Sequence, residues 1–144
     1  IQISIRENLF HSLKEEFVDR WWYDGVPKET QKRSAAESIE RGSNEPHWNF
    51  VFLLDYLKII NNNWALFKDN YSDPDKDAYQ GKGSQKEKAT KWFSKLNDIR
   101  IKVSHPERSS VTESEFKFLT RLNDWLLPNI KITETNTEIV EVEE

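Results

Sequence analysis

Apolar residues recur at helical spacing through most of the chain, and strict alternation appears only near its end. This pattern predicts an all-α helical bundle of about four to five helices. Leu9, Phe10, Leu13, Phe17 and Trp21 form one stripe of a first helix, which should end at the turn Asp24-Gly25-Val26-Pro27. Pro27 stands where a second helix begins. That helix, from Lys28 to Arg41, has a thin apolar face of Ala35, Ala36 and Ile39 among charges, and Gly42, Asn44 and Pro46 close it. Such a face predicts a peripheral helix.

From Trp48 to Phe67 the apolar residues fall on nearly all sides, which predicts a central buried helix with a break or kink at Asn61-Asn62-Asn63. A polar stretch from Asp69 to Gly83 reads as a surface loop of about fifteen residues. A fourth helix opens on a capping box, Ser84 with Glu87, and carries Trp92, Leu96, Ile99 and Val103 as its core stripe. It should stop at His105, because Pro106 disfavours helical geometry in the residue before it. A second box, Thr112 with Glu115, starts a fifth helix through Phe118, Leu119, Leu122, Trp125 and Leu126, with Val111 and Phe116 as a hydrophobic staple. Pro128 should end it. Residues 129–144 hold five Glu and no aromatic residue, and read as an acidic tail or linker after a bundle of residues 1–128.

A length of 144 residues fits one domain, and six Trp, eight Phe and four Tyr supply its core without a disulfide or a metal. With no Cys and three His, a thiolate zinc site, an iron–sulfur site and a Cys nucleophile are excluded. The longest apolar run, Phe50 to Leu54, is far too short to cross a bilayer, which predicts a soluble protein. Absence of Cys fits a reducing, cytoplasmic compartment. The sequon Asn70-Tyr71-Ser72 reads as chance. Since the chain begins at Ile1 and contains no Met, it reads as a segment of a longer polypeptide.

Charge changes this picture in one region. Residues 82–108 carry eight Lys or Arg (Lys82, Lys86, Lys88, Lys91, Lys95, Arg100, Lys102, Arg108) against Glu87, Asp98 and Glu107, a local balance of +5 in a chain of −4. A basic stripe on one helix suits phosphate contacts, and it also suits a solvated helix face. Both readings stand on charge alone.

Within the stripe lies Asp98-Ile99-Arg100-Ile101-Lys102-Val103-Ser104-His105-Pro106. Arg100 and His105, with four residues between them ahead of a helix-ending Pro, resemble the motif of the HEPN (higher eukaryote and prokaryote nucleotide-binding) domains. Trp21-Trp22 before Val26-Pro27, Asp55-Tyr56-Leu57 with Ile59-Ile60, then Trp64 and Phe67, and Leu96-Asn97-Asp98 are similar to the subgroup appended to a nuclear mRNA-surveillance endoribonuclease and to many bacterial proteins. The resemblance spans residues 9 to 127. It implies a helical bundle in which two subunits bring their motifs together and cleave RNA without a metal or other cofactor. Arg100 and His105 would act on the 2′-hydroxyl and the adjacent phosphate, leaving a 2′,3′-cyclic phosphate. An imidazole suits proton transfer near neutrality, and a guanidinium holds phosphate oxygens through paired N–H donors. Lys91, Lys95, Lys102 and Arg108 would meet RNA phosphates. A homodimer, further domains of a longer polypeptide and a role in bacterial defence follow by family association.

One residue departs from the family pattern. Ile101 stands where a polar residue usually follows the Arg, and on an ideal helix it points about 180° from Trp92. Ile101 then reads either as an isolated exposed residue or, more sharply, as a contact in a dimer interface or against another domain. The alternative is therefore a catalytically inert dimerisation or protein-docking module of the same fold. In purely structural terms, Arg100 would pair with Asp98 or Glu107, and His105 would cap its helix. His11 and His47 have no partner at a catalytic spacing. Trp21, Trp22 and Trp64 lie on apolar stripes and read as core, and Gly81-Lys82-Gly83-Ser84 lacks the full phosphate-loop pattern.

Overall fold

The computed structural model describes residues 1–76 and 83–130. Lys82 and the acidic residues from 131 onward lie outside the described residues. Every described element is helical, as an all-α bundle requires: eight α-helical segments and two short 3-10 turns, with no strand among the described residues. Three of the five expected helices are each broken once, which accounts for the larger number. The described residues pack as two compact units, one of residues 2–67 and one of Ile1 with the described residues from 68 to 130.

In the unit of residues 2–67, α1 (Gln2–Phe17) buries Ile5, Leu9 and Leu13, which recur every four residues and share one face. The stripe does not run on to Trp21 in one helix. At Val18 the backbone turns left-handed, with φ 53°, and a 3-10 turn (Val18–Arg20) leads into α2 (Trp21–Gly25). Val18 holds the position after a helix that Gly normally takes, and its side chain is 64% exposed, so no burial offsets the unfavourable backbone. Gly25 is required by space: a Cβ there would lie 2.7 Å from Leu13 Cδ2 and 3.0 Å from Phe17 Cδ2. The bent chain gathers Phe10, Trp21, Trp22 and Trp48 into one cluster, with ring centroids 5.2 to 6.0 Å apart.

The second expected helix, α3 (Lys28–Glu40), turns a different face inward. Thr30, Ser34 and Ser38 are buried, Ala36 is exposed and Ile39 is 78% exposed. Small side chains let the 3-10 turn His47–Phe50 pack against the helix, and a charge locks it there. The Arg33 guanidinium donates to the Phe50 carbonyl at 3.0 Å and to the Asp55 carboxylate, while Asp55 also accepts the Phe52 N–H at 3.0 Å. The inward face of this helix is thus formed by three small polar residues and not by the expected apolar ones. The central helix is not buried all round either: α4 (Leu53–Asn62) buries Leu53, Tyr56, Ile59 and Ile60 but leaves Leu54 51% exposed. It stops at Asn63, as the Asn run suggested. The Asn63 amide donates to the carbonyls of Gly25 (2.7 Å) and Ile59 (2.9 Å), which ends α4 and ties it to the end of α2. Next, α5 (Trp64–Tyr71) carries the chain across the division between the units.

The other unit is built around Trp92. This side chain is fully buried, donates from Nε1 to the Tyr71 carbonyl at 3.0 Å, stacks on Tyr71 at 6.5 Å and meets Trp125 edge-on at 5.5 Å. After α5, Asp73 is fully buried and takes two hydrogen bonds of 3.0 Å from Arg121. The expected loop is therefore anchored at its start. The Ser84 hydroxyl accepts the Glu87 N–H at 3.2 Å and opens α6 (Gln85–Ala89), as the capping box predicts. A break at Thr90, whose hydroxyl donates to the Lys86 carbonyl at 2.9 Å, separates it from α7 (Trp92–Ser104). That helix does end before His105. Its buried stripe is Trp92, Phe93, Leu96 and Ile99, whereas Val103 is 65% exposed because the stripe runs past the end of the core.

The second capping box is complete: the Thr112 N–H donates to Glu115 at 2.9 Å and the Glu115 N–H to the Thr112 hydroxyl at 3.1 Å. It starts α8 (Glu113–Ile130), which buries Phe118, Leu122, Leu126 and Ile130 every four residues. Phe116 is 66% exposed and so anchors no staple in the core. The helix continues past Pro128, contrary to the expected stop. Proline's φ is helical and only one backbone hydrogen bond is forfeited, while Ile130 gains full burial.

Val18→Gly should stabilise the protein by about 0.5–1 kcal/mol, the left-handed penalty less the added freedom of the unfolded chain. Urea denaturation would show a higher midpoint at unchanged slope. A lowered midpoint would contradict a left-handed residue 18.

Candidate functional site

The candidate residues lie on α7 and the turn after it, and the inward direction of Trp92 sets where each one points. Measured from Trp92 at about 100° per residue, Arg100 lies about 80° to one side and Lys102 about 80° to the other, with Lys95 beside Lys102. Ile101 points outward, 40% exposed. Side-chain partners agree with this geometry. Lys102 Nζ is 2.7 Å from Glu115 Oε1, and Lys95 Nζ stands 4.9 Å over the Phe118 ring, so both lean on α8. Arg100 is exposed on the opposite flank, where its Nε and one terminal nitrogen are each 3.4 Å from Asn97 Oδ1.

The basic stripe is therefore split rather than continuous. Arg100 does not share a face with Lys95 and Lys102, and the positive charge of Lys102 is matched by a carboxylate. Lys91 is exposed at the start of α7, and Arg108 is exposed in the turn beyond His105. That turn is closed by the Arg108 N–H donating to the His105 carbonyl at 3.0 Å. His105 caps α7 with its backbone, donating its N–H to the carbonyls of Ile101 (3.0 Å) and Lys102 (3.2 Å). Its ring is about half exposed, with Nδ1 3.5 Å from Glu107 Oε1. His105 as helix cap is seen, but Arg100 pairs with neither Asp98 nor Glu107. His11 pairs with Glu15 at 2.9 Å and His47 is exposed, both in the other unit. Trp21 and Trp22 are core, whereas Trp64 is half-buried at the surface.

Two residues that shape this region, Asn97 and Glu115, are not among the site residues expected from the sequence. Asn97 belongs to the Leu96-Asn97-Asp98 run that carries the resemblance, and its position three residues before Arg100, on an adjacent helix face, is the signal for the contact. Glu115 is legible as a capping residue, but its ion pair with Lys102 crosses the turn between α7 and α8. Together the Lys102 hydrogen bond and the Thr112 N–H hold the Glu115 carboxyl at about 2, well below the ordinary 4.5. Among the described residues, no group of three or more His, Asp or Glu is placed to hold a metal ion, and no helix is long and apolar enough to cross a membrane. No family model, curated protein or solved structure matches this chain.

Because its folded value is lowered, Glu115 contributes stability that is fully present above pH 4.5 and is lost as the pH falls through about 2. Carboxyl-detected NMR titration should place its midpoint near 2, and Lys102→Met should move it upward toward 4.5. An unchanged midpoint in that variant would show that Lys102 is not its partner.

Proposed function

We propose that this chain is a HEPN-like RNA-engaging domain whose contact point is the C-terminal end of α7. The supporting observation is the state of Arg100: an exposed guanidinium held by an amide, with no carboxylate partner among the described residues. A guanidinium so placed keeps its charge available for a phosphate, and the half-exposed His105 ring follows at the end of the same helix. On this reading two copies face each other, and His105 accepts the proton of an RNA 2′-hydroxyl. The freed oxygen attacks the adjacent phosphorus, the bond to the 5′-oxygen breaks, and that oxygen leaves with the proton returned by the protonated imidazole. Arg100 stabilises the charge on the phosphoryl oxygens. Lys102, being paired, contributes little to phosphate binding.

The test is cleavage of single-stranded RNA in the presence of a chelator. Wild type should leave 2′,3′-cyclic phosphate ends, and Arg100→Ala and His105→Ala should each abolish the reaction with the fold intact. DNA should survive. In filter binding, Arg100→Ala should lower affinity and flatten the dependence on salt, whereas Lys102→Ala should leave the salt slope unchanged. Intact RNA with wild type, together with equal affinity of wild type and Arg100→Ala, would overturn the reading.

Ile101 favours the second reading, an inert dimerisation or docking module. It is 40% exposed, and Val103, two residues on, is 65% exposed. If this end of α7 meets a second copy, light scattering should show a dimer that Ile101→Asp converts to monomer. A monomer for both proteins, far above micromolar concentration, would remove the dimer.

A further inference from the structure

Within the unit of residues 2–67, a groove of about 420 Å³ opens where the end of α1 and the break between α4 and α5 come together. Its aromatic lining is Phe17 and Trp64, both half-buried, and Leu66, 37% exposed, adds apolar surface. Asn62 and Asn63 supply the polar part and Glu16 the single charged group. The volume lies in the range of small-molecule sites.

The formal charge of the lining is negative. The Glu16 side chain has no hydrogen-bond or ion-pair partner among the described residues, whereas nearby Glu15 is engaged by His11 and Asp24 by Arg20. α1 and α4 end at the groove and α5 begins there at Trp64, so the partial charges of the helix ends offset one another and Glu16 is left as the formal charge. An anionic ligand would be repelled by this carboxylate, so the groove suits a cation. A metal ion is poorly served by one carboxylate beside aromatic walls, because such ions demand several oxygen ligands. A weakly hydrated organic cation fits, since aromatic rings attract an alkylated ammonium while its methyl groups cover apolar surface.

The site is also held in shape before any ligand arrives. Gly25 lets Phe17 sit against it where a Cβ would collide, and the Asn63 amide is fixed by two carbonyls. The strained backbone of Val18 follows Phe17 directly, and strain of this kind gathers at binding sites whose geometry the surroundings dictate. We propose that this groove binds small alkylammonium compounds of the choline type.

The experiment is an NMR titration of the whole chain that follows the backbone N–H signals of residues 62–66. The probes are choline and its uncharged isostere, 3,3-dimethylbutan-1-ol. Choline should give a saturable shift at least about two- to five-fold tighter than the isostere, the margin expected of an exposed cation against aromatic rings. Glu16→Gln and Trp64→Leu should each weaken choline binding while leaving the response to the isostere smaller than that to choline in wild type. Glu16 is exposed, so its replacement leaves the fold intact even if Trp64→Leu perturbs it. A peptide carrying trimethyllysine, titrated alongside, should bind no tighter than choline. Equal affinity for choline and the isostere, choline binding unaffected by Glu16→Gln, tighter binding of the peptide, or no saturable shift would each overturn the assignment.

Discussion

The rotation of α7 about its own axis governs everything proposed for its surface, and one side chain sets that rotation. Trp92 is fully buried, donates to the Tyr71 carbonyl and is packed against Tyr71, Phe93 and Trp125. An indole this enclosed cannot turn outward without breaking a buried hydrogen bond and emptying a large volume, a loss of about 3–5 kcal/mol when such a residue is truncated. Once Trp92 points inward, the helical repeat leaves no choice for the residues that follow. Arg100 and Lys102, neighbours in sequence, emerge on opposite flanks, and Ile101 between them faces out.

The parts of the fold legible in the sequence are those decided within a few residues. Both N-cap hydroxyls engage as expected, because each joins an amide three residues on and needs nothing from elsewhere. Pro106 stops α7 for an equally local steric reason. The inward face of α3 could not be read this way. Its apolar residues, Ala35, Ala36 and Ile39, lost to Thr30, Ser34 and Ser38 because an ion pair from Arg33 to Asp55, 22 residues away, draws a 3-10 turn against the small side chains. Periodicity counts apolar residues and is blind to a partner that demands close approach. The breaks at Val18 and Thr90 are similarly hidden, since neither residue carries the Gly or Pro that normally marks one.

The same division runs through the candidate site. Arg100 and His105 were placed near the end of a helix by their spacing to Pro106, and the helix does end there. Their surroundings were not legible. Asn97 enters the sequence reading only within the Leu96-Asn97-Asp98 run and not as a partner of Arg100, and the Lys102 to Glu115 pair spans thirteen residues and a turn. A run of basic residues was read as one surface, yet a helix distributes consecutive residues around its whole circumference. Lys102 is taken out of that surface by a carboxylate, and Arg100 is left on the other flank.

Magnitudes then bear on how a second copy could meet this end of α7. Full burial of an Ile or Val side chain contributes about 1.5–3 kcal/mol, and the exposed fractions of Ile101 and Val103, 40% and 65%, limit them to about two-fifths and two-thirds of that. Two such residues from each copy give a gain comparable with the roughly 4–15 kcal/mol that association costs in lost freedom. Apolar contact at this end is therefore insufficient to hold a tight dimer. Two Arg100 guanidiniums brought close would oppose it further. An RNA phosphate between them reverses the sign of that electrostatic term, so on the proposed reading RNA binding and dimerisation reinforce each other, each supplying the free energy the other lacks.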